Sequence, residues 1–261
     1  MEFEGKVALV TGGSSGIGRA TVLRLGAAGC AVGVLGRDPD KVEQVVAEAR
    51  AAGARAHPLV ADVGSEGDVK AAVDGLVGEF GRLDLLFANA GINGVWAPID
   101  EIAPDEWDRT INTNLRGTYL TLHYGVPHLK RAGGGAVVIT ASVNGTRIFS
   151  NAGATAYSCT KAAQVAMTQM LALELAKFRI RVNVVCPGAI ETAIDESTTK
   201  RHEEIAGEPV EFPEGEIPLT DGEPGRAEEV AELVAFLMSD RARHISGTPV
   251  WIDGAESLLK G

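Results

Sequence analysis

The stretch from Lys6 to Ala28 is the feature that most restricts how this chain can fold. A continuous apolar run leads into a glycine-rich turn, Thr11-Gly12-Gly13-Ser14-Ser15-Gly16-Ile17-Gly18, and a helical pattern follows. The glycines allow a tight turn and a close backbone approach, and the helix N-terminus offers free N–H groups to an anion. A strand, a turn and a helix in this order predict a dinucleotide pyrophosphate site. Its predicted residues are Gly12, Ser14, Ser15, Gly16, Ile17 and Gly18.

Apolar runs rich in Val, Ile, Leu and Ala alternate with helical patterns along the rest of the chain. They predict strands near 6–11, 31–36, 56–60, 83–88, 136–141, 180–186 and 248–252. A strand that is apolar throughout is covered on both faces, which is typical of a parallel sheet between two helical layers. We therefore expect a single α/β domain over residues 1–261, a doubly wound Rossmann sheet of about seven parallel strands with helices on both faces.

Composition and charge narrow the possible functions. The chain has 261 residues, of which 45% are hydrophobic and 23% charged, as in a soluble globular enzyme. The formal net charge of −11 argues against nucleic acid and an anionic membrane surface as partners. The chain has no apolar run long enough to cross a bilayer and no signal-like start, so we expect a cytoplasmic protein. Cys30, Cys159 and Cys186 are isolated, which predicts buried thiols and no metal site.

A tyrosine and a lysine lie four residues apart at the start of a long apolar helical pattern. Tyr157 and Lys161 would share one helix face, so both can act on the same small molecule. A free phenol has a pKa of about 10 and is a weak acid-base catalyst at neutral pH, but a nearby ammonium would lower that pKa. The pair is therefore a candidate acid-base site. One core aromatic residue beside one solvated cation would give the same spacing.

Taken in order, the motifs of this chain resemble those of the short-chain dehydrogenase/reductase family, and the resemblance runs nearly from end to end. The matching motifs are the turn of residues 11–18, Asp62-Val63, Asn89-Ala90-Gly91, Asn114, Ser142, Tyr157, Lys161 and Pro187-Gly188-Ala189-Ile190-Glu191-Thr192. The resemblance implies an NAD(P)-dependent oxidoreductase. Such an enzyme transfers a hydride between a nicotinamide and a secondary alcohol or ketone.

The resemblance also implies a role for each catalytic candidate. Tyr157 would exchange a proton with the reacting oxygen, while Lys161 would lower the pKa of the phenol and hold the nicotinamide ribose. Ser142 would hydrogen-bond the reacting oxygen and stabilise developing charge. Asn114 would position a water that relays protons to the lysine. Asn112 is the competing candidate, but the glycine three residues beyond Asn114 favours Asn114.

Further cofactor contacts follow from the same resemblance. Asp62 would bind the adenine amino group, and Val63 would supply a backbone contact. The small residues of Asn89-Ala90-Gly91 would let the cofactor lie close to the backbone, and Asn89 would stiffen the sheet edge. In the run from Pro187 and Gly188 to Thr192, the side chains of Ile190 and Thr192 resemble those that hold the nicotinamide carboxamide.

The end of the second predicted strand bears on the choice between NADP and NAD. NAD-preferring relatives usually place an acid there, whereas this chain has Gly36 followed by Arg37, whose guanidinium could pair with a 2′-phosphate. Asp38 precedes Pro39, which is typical of a helix cap. Ser15, where many NADP enzymes have a second basic residue, is neutral. We expect NADP as the cofactor, with NAD as the alternative. If NAD is the cofactor, Arg37 would be an ordinary surface cation.

Residues 189–225 form the candidate substrate loop. Between Glu191 and Glu223 the segment has eleven Asp or Glu residues against only Lys200 and Arg201. Such a run is usually a solvated loop, and the family resemblance offers a mobile lid as the alternative. The predicted pocket is lined by this loop together with Asn93 to Trp96, Val143, Asn144, Ile148 and Phe149. The substrate, a small-molecule alcohol or ketone, could be a sugar, a steroid, a cyclic diol or a β-keto thioester.

Two sequence features concern the neighbourhood of Tyr157. Ser142 and Tyr157 lie further apart than is usual in the family, which predicts an enlarged loop beside the substrate. The helical pattern from about Thr155 to Phe178 is apolar around much of its surface, so more than the sheet must cover it. This predicts a subunit interface, and the family implies a homotetramer. A third layer of the same chain is the alternative cover.

Two other functions are compatible with these motifs. One is a redox sensor that binds a dinucleotide without turnover, and the other is a cofactor-using epimerase or dehydratase of related fold. The absence of Tyr157 or Lys161 would favour the sensor, and both residues are present.

Overall fold

The central sheet contains seven parallel strands in the computed structural model, which describes residues 1–208 and 216–260. The strands are β1 (Val7–Thr11), β2 (Ala31–Gly36), β3 (Ala56–Val60), β4 (Leu85–Ala88), β5 (Gly135–Thr140), β6 (Ile180–Pro187) and β7 (Pro249–Ile252). Their spatial order is β3-β2-β1-β4-β5-β6-β7, and all neighbours are parallel. The order reverses between β1 and β4, where doubly wound sheets bind their ligands. The predicted fold class is confirmed.

Helices cover both faces of this sheet. They are α1 (Gly16–Ala27), α2 (Pro39–Ala51), α3 (Glu66–Phe80), α4 (Pro104–Ile111), α5 (Gly117–Arg131), α6 (Thr155–Ala176), α7 (Glu203–Ala206), α8 (Ala227–Met238) and α9 (Glu256–Lys260). One apolar cluster joins the sheet to α3, α5 and α6, and a second joins it to α1, α2 and α8. The sheet therefore lies between two helical layers.

The continuous apolar character of the strands explains this sandwich. All five residues of β1 are buried. Val7 and Leu9 belong to the cluster on one side of the sheet, while Ala8 and Val10 belong to the cluster on the other. Successive side chains of a strand point to opposite faces, so a strand that is covered on both faces needs apolar residues at every position.

The candidate substrate loop has more regular structure than a solvated loop. Ile190–Glu191 pairs with Gly225–Arg226, and Thr198–Lys200 pairs with Gly94–Trp96. A short 3₁₀ turn, Ala193–Ser197, lies between the two pairings. The described part of the loop is thus held against the body of the domain. The rest of it, residues 209–215 with Glu211 and Glu214, lies outside the described residues.

Helix α6 ends two residues before the predicted Phe178 and is covered on only part of its surface. Its buried side includes Tyr157, Lys161 and Leu175. On its other side, Met170 is 74% and Leu173 is 84% exposed, so no described residue of the chain covers them. Within the described ranges, no helix has the length and apolar character that crossing a bilayer requires.

Candidate active site

The glycine-rich turn forms a cradle of exposed backbone at the carboxyl end of β1. Gly12 and Gly16 have positive φ angles of +63° and +47°, which glycine adopts without strain. A Cβ on Gly12 would lie 3.0 Å from the Ala90 Cα, and one on Gly18 would overlap the Gly12 carbonyl oxygen. Ser15 precedes α1 and its side chain makes no capping hydrogen bond. The first N–H groups of α1 are therefore available to an anion, and the cradle fits a dinucleotide pyrophosphate.

Ser14 and Gly36 pack against each other at the end of β2. A Cβ on Gly36 would lie 2.7 Å from the Ser14 Oγ. The glycine-rich turn therefore leaves no room for an acidic side chain at this strand end. The Asp38 side chain accepts hydrogen bonds from the backbone N–H groups of Asp40 (3.0 Å) and Lys41 (3.2 Å). Asp38 therefore caps α2, as the sequence predicted.

One open cavity of about 800 Å³ extends along the carboxyl ends of the strands. Most predicted site residues line it: Gly12, Ser15, Gly16, Ile17, Arg37, Asn89, Ala90, Gly91, Ser142, Tyr157, Lys161, Pro187, Gly188, Ile190 and Thr192. Five predicted residues do not line it: Ser14, Gly18, Asp62, Val63 and Asn114. Gly18 packs directly against the backbone of Gly12. Asp62 instead accepts a hydrogen bond from the Gly64 N–H at 2.8 Å, and the buried Val63 packs beside Gly117.

Asn89 joins three strands at this edge of the sheet. Its backbone N–H donates to the Thr11 Oγ1 (2.9 Å), and its side-chain amide donates to the Thr11 carbonyl oxygen (3.2 Å). Its Oδ1 accepts a hydrogen bond from the Thr140 hydroxyl at 3.1 Å. The ends of β1, β4 and β5 are thus fixed relative to each other, as expected for a residue that stiffens the sheet edge.

Tyr157 lies at the wall of the cavity beside Ser142 and Trp96. Its side chain is buried, and its ring centroid lies 6.4 Å from that of Trp96. Burial raises the pKa of the phenol to about 12, while the neighbouring Ser142 hydroxyl acts in the opposite direction and Asp195 adds to the rise. The sequence predicted a net lowering of this pKa by Lys161, whereas the net shift of the buried phenol is upward. Desolvation of the phenolate is the dominant effect here.

Lys161 is oriented toward the backbone of β5 as well as toward the tyrosine. Its Nζ donates to the Thr140 carbonyl oxygen at 2.8 Å and lies 5.3 Å from the centroid of the Tyr157 ring. Burial lowers the pKa of the ammonium to about 8. The charged form therefore predominates only below that pH.

Asn114 lies behind the cavity in a π-helical turn, Asn112–Arg116. Its Oδ1 accepts from the Ile92 N–H (2.8 Å), and its Nδ2 donates to the Ile92 carbonyl oxygen (2.9 Å). Gln164 was not predicted as a site residue, yet its Nε2 donates to the Asn114 carbonyl oxygen at 3.0 Å. The one available signal was a polar residue within an apolar helical run. π-Helical turns such as Asn112–Arg116 occur frequently at functional sites.

The substrate end of the cavity differs from prediction at four positions, two of which are Gly94 and Val95 of the short strand Gly94–Trp96. Asn93, Trp96, Val143 and Asn144 line it as expected. Ile148 and Phe149 do not line it: Ile148 is buried, and Phe149 is 75% exposed. The loop that carries them still reaches the cavity through Asn144 and Asn151, and its Thr146 hydroxyl is within hydrogen-bond distance of the Ser142 and Val143 carbonyl oxygens.

Lys41 and Glu256 also line the cavity and were missed by the sequence reading. Lys41 is the third residue of α2 and lies in its first turn. Glu256 comes from the far end of the chain, and its Oε2 accepts a hydrogen bond from the Ala189 N–H at 3.1 Å. No local pattern marks either residue, since only the fold brings them to the cleft.

None of the three cysteines lines the cavity. Cys30 and Cys186 are buried, as predicted, but Cys159 is exposed. It lies two positions after Tyr157, on the outer face of α6. Within the described ranges, no three His, Cys, Asp or Glu side chains are grouped as metal ligands.

Comparison with known proteins agrees with this fold and cleft. The family model for short chain dehydrogenase matches residues 6–203. The chain is 36% identical to 3-oxoacyl-(acyl-carrier-protein) reductase FabG of Thermotoga maritima, covering 97% of this chain and 98% of the relative. It is 39% identical to cyclohexanol dehydrogenase of Acinetobacter sp. (97% and 96% covered) and 36% identical to levodione reductase of Leifsonia aquatica (98% and 95% covered).

Solved structures give the same result. A 3-ketoacyl-ACP reductase from Sinorhizobium meliloti 1021 matches with a TM-score of 0.94 and 60% identity, covering 97% of this chain and 99% of that one. A reductase from Brucella melitensis complexed with NADH matches at 0.86 and 33% identity, with 98% and 99% covered. A short chain dehydrogenase from Burkholderia cenocepacia J2315 in complex with NADP matches at 0.85 and 35% identity, again with 98% and 99% covered.

The chain therefore belongs to the short-chain dehydrogenase family. It is an oxidoreductase that uses a nicotinamide cofactor and acts on alcohols or ketones.

Proposed function

We propose that this chain is a carbonyl reductase and alcohol dehydrogenase in which Tyr157 exchanges the proton with the reacting oxygen. The observation that carries the proposal is that Tyr157, Ser142 and Lys161 line the same cavity as the glycine cradle. We assign the whole range 1–261 to one dinucleotide-binding and catalytic domain, with residues 189–225 as its substrate loop. When bound, the nicotinamide supplies or accepts the hydride.

The roles of the residues follow from their positions. A ketone oxygen next to Tyr157 and Ser142 would accept hydrogen bonds from both hydroxyl groups, which stabilises the negative charge that develops on it. The phenol then gives its proton to that oxygen, and the reverse transfer occurs in alcohol oxidation. The Lys161 ammonium stabilises the phenolate that remains. Asn114 holds the backbone of Ile92 in place through the two hydrogen bonds of its side-chain amide.

A direct test is the absorbance change at 340 nm with a panel of ketones and secondary alcohols, run with NADP(H) and NAD(H). We expect turnover with at least one matched ketone and alcohol pair. Tight cofactor binding without turnover of any member would instead support the redox sensor. A product formed without net change in the cofactor would support the epimerase or dehydratase.

We further propose that NADP is the preferred cofactor, with NAD as the alternative. Arg37 and Lys41 both line the cavity at the end of β2, and together they offer two cations to a 2′-phosphate. The second cation makes up for the neutral Ser15. Asp38 caps α2, and the positive end of the helix dipole offsets part of its negative charge.

Replacing Arg37 by Ala is expected to lower kcat/KM for NADP about ten- to a hundredfold and to leave kcat/KM for NAD nearly unchanged, because a charge-assisted hydrogen bond contributes about 1.5–3 kcal/mol. Steady-state kinetics with each cofactor measure the effect. Lys70→Ala is the matched control, since Lys70 pairs with Asp74 at 2.6 Å on α3 and does not line the cavity. An unchanged NADP preference in Arg37→Ala would show that Arg37 does not bind the 2′-phosphate.

The assembly we propose is a homotetramer that acts in the cytoplasm. Met170 and Leu173 on α6 expose apolar side chains that a second subunit would cover. The three free cysteines are compatible with a reducing compartment. Light scattering of the purified protein would test the subunit number.

A further inference from the structure

Charge is unevenly distributed along the cavity. Arg37 and Lys41 line its end near α2. Four carboxylates line the cavity as well. Glu256 accepts a hydrogen bond from the Ala189 N–H, and Glu191 also lines a second pocket with Gly16 and Arg19. Asp195, with Glu196 next to it in the chain, lies at the end that holds Ser142 and Tyr157. Among the described lining residues of that end, Lys161 is the single cation, and it is 2% exposed with its Nζ bonded to the Thr140 carbonyl oxygen. The substrate end is therefore acidic, whereas the adenosine end is basic.

Asp195 is the carboxylate most closely connected to the reacting groups. Its Oδ1 accepts a hydrogen bond from the Asn93 Nδ2 at 3.3 Å. Asn93 is itself held in place, because its Nδ2 also donates to the Thr198 Oγ1 (2.8 Å) and its backbone N–H donates to the Ser197 Oγ (3.0 Å). The negative charge of Asp195 contributes to the raised pKa of Tyr157, so its field reaches the reacting oxygen.

No described cation lies within ion-pair distance of Asp195. Glu256 differs in this respect, because Lys260 pairs with it at 2.9 Å and offsets its charge. The seven residues 209–215, which lie outside the described ranges, contain no Lys or Arg. The substrate loop as a whole has only Lys200 and Arg201 between Glu191 and Glu223, and both pair with other glutamates.

We infer that the substrate is an uncharged, polar ketone or secondary alcohol, and that Asp195 is the residue that discriminates against anionic substrates. This inference rests on the proposed function of the same cavity. A carboxylate or phosphate bound beside the buried Tyr157 would bring a second negative charge close to Asp195. Asp195 is itself exposed, so the two like charges repel each other partly through solvent, and salt screens the repulsion.

An uncharged hydroxyl group, in contrast, has favourable partners in this site. Asp195 can accept a hydrogen bond from it, and the amides of Asn93, Asn144 and Asn151 line the same cavity. Hydroxylated cyclic ketones fit the distribution of charge, and carboxylated ketones do not.

The test compares a matched pair of substrates, methyl 4-oxocyclohexanecarboxylate and the free 4-oxocyclohexanecarboxylate, at a saturating concentration of the reduced cofactor. For the unaltered enzyme we expect kcat/KM to favour the ester by roughly tenfold or more, and this ratio to narrow at high salt because screening weakens the repulsion. Asp195→Asn should narrow the ratio to within about threefold, mainly through a lower KM for the anion.

Glu203→Gln is the matched control, because it removes the same charge from the same segment without lining the cavity. Glu203 pairs with Lys200 at 3.2 Å. The control should leave the ratio unchanged. Equal or higher kcat/KM for the anion in the unaltered enzyme would overturn the inference. So would a ratio that Asp195→Asn does not alter.

A binding measurement separates this inference from the proposed function. Calorimetry of the same pair with the complex of the enzyme and oxidised cofactor requires no turnover. If the unaltered enzyme binds the ester more tightly than the anion, and Asp195→Asn loses this preference, the role of the Asp195 charge is supported even if neither compound is reduced. Absence of turnover across the whole panel would count against the proposed function alone. Absence of any preference in binding would count against Asp195 alone.

Discussion

Replacement of Tyr157 by Phe is expected to reduce kcat by roughly a hundred- to ten-thousandfold, because it removes the group proposed to give a proton to the reacting oxygen. The substitution deletes one oxygen atom and preserves the ring that lies 6.4 Å from Trp96, so the wall of the cavity should keep its shape. Initial rates at 340 nm with the best ketone of the panel would measure the loss. A residual rate would reflect positioning by Ser142 and the bound cofactor.

Two measurements separate this chemical role from a structural one. The dissociation constant of the cofactor should remain within about threefold of its original value, and the melting temperature should change little, since the loss is one hydroxyl group. Tyr119→Phe is the matched control, because Tyr119 is 49% exposed on α5 and does not line the cavity. Near-normal kcat in Tyr157→Phe would show that another group transfers the proton.

The pH dependence gives a second readout of the same pair of residues. Burial raises the pKa of Tyr157 to about 12 and lowers that of Lys161 to about 8. The phenol therefore remains protonated up to high pH and stays ready to act as an acid. As pH rises through about 8, Lys161 loses its proton, and with it the ammonium that stabilises the phenolate formed in the reaction. Ketone reduction should thus slow above that pH.

The fold was predictable because its signal is repeated in every strand. Seven apolar runs, each able to be covered on both faces, leave few alternatives to a parallel sheet between helices. The carboxyl-end rule then places Gly12, Asn89, Ser142 and Pro187 at one edge of that sheet, although they are far apart in sequence. Most of the cleft could therefore be assembled from motif positions alone.

The details that sequence reasoning missed depend on contacts between distant segments. Glu256 reaches the cavity only because β7 places α9 beside the Pro187-Gly188-Ala189 run. Gln164 contacts the Asn114 carbonyl oxygen because a π turn redirects the chain before α5. The predicted pKa of Tyr157 considered only the charge of Lys161, whereas the cost of burying a phenolate depends on the packing around it. Neither burial nor the direction of Nζ is encoded in local spacing.

Gly18→Ala is expected to raise the dissociation constants of both NADP and NAD by roughly ten- to a hundredfold. The added Cβ would overlap the Gly12 carbonyl oxygen and would also lie 2.9 Å from the Asn89 Nδ2. Because backbone cannot move as freely as a side chain, the turn must shift, at a cost of about 1–3 kcal/mol. Fluorescence titration with each cofactor would measure the change.

Gly75→Ala provides the matched control for this substitution. Gly75 lies inside α3, and nothing lies within 4 Å of a Cβ placed on it. Alanine should therefore leave cofactor binding unaltered and stabilise the helix by up to about 1 kcal/mol. Thermal unfolding of both variants distinguishes a displaced turn from a lost fold. If Gly18→Ala remained folded and bound both cofactors with unaltered affinity, the turn could not be the pyrophosphate site.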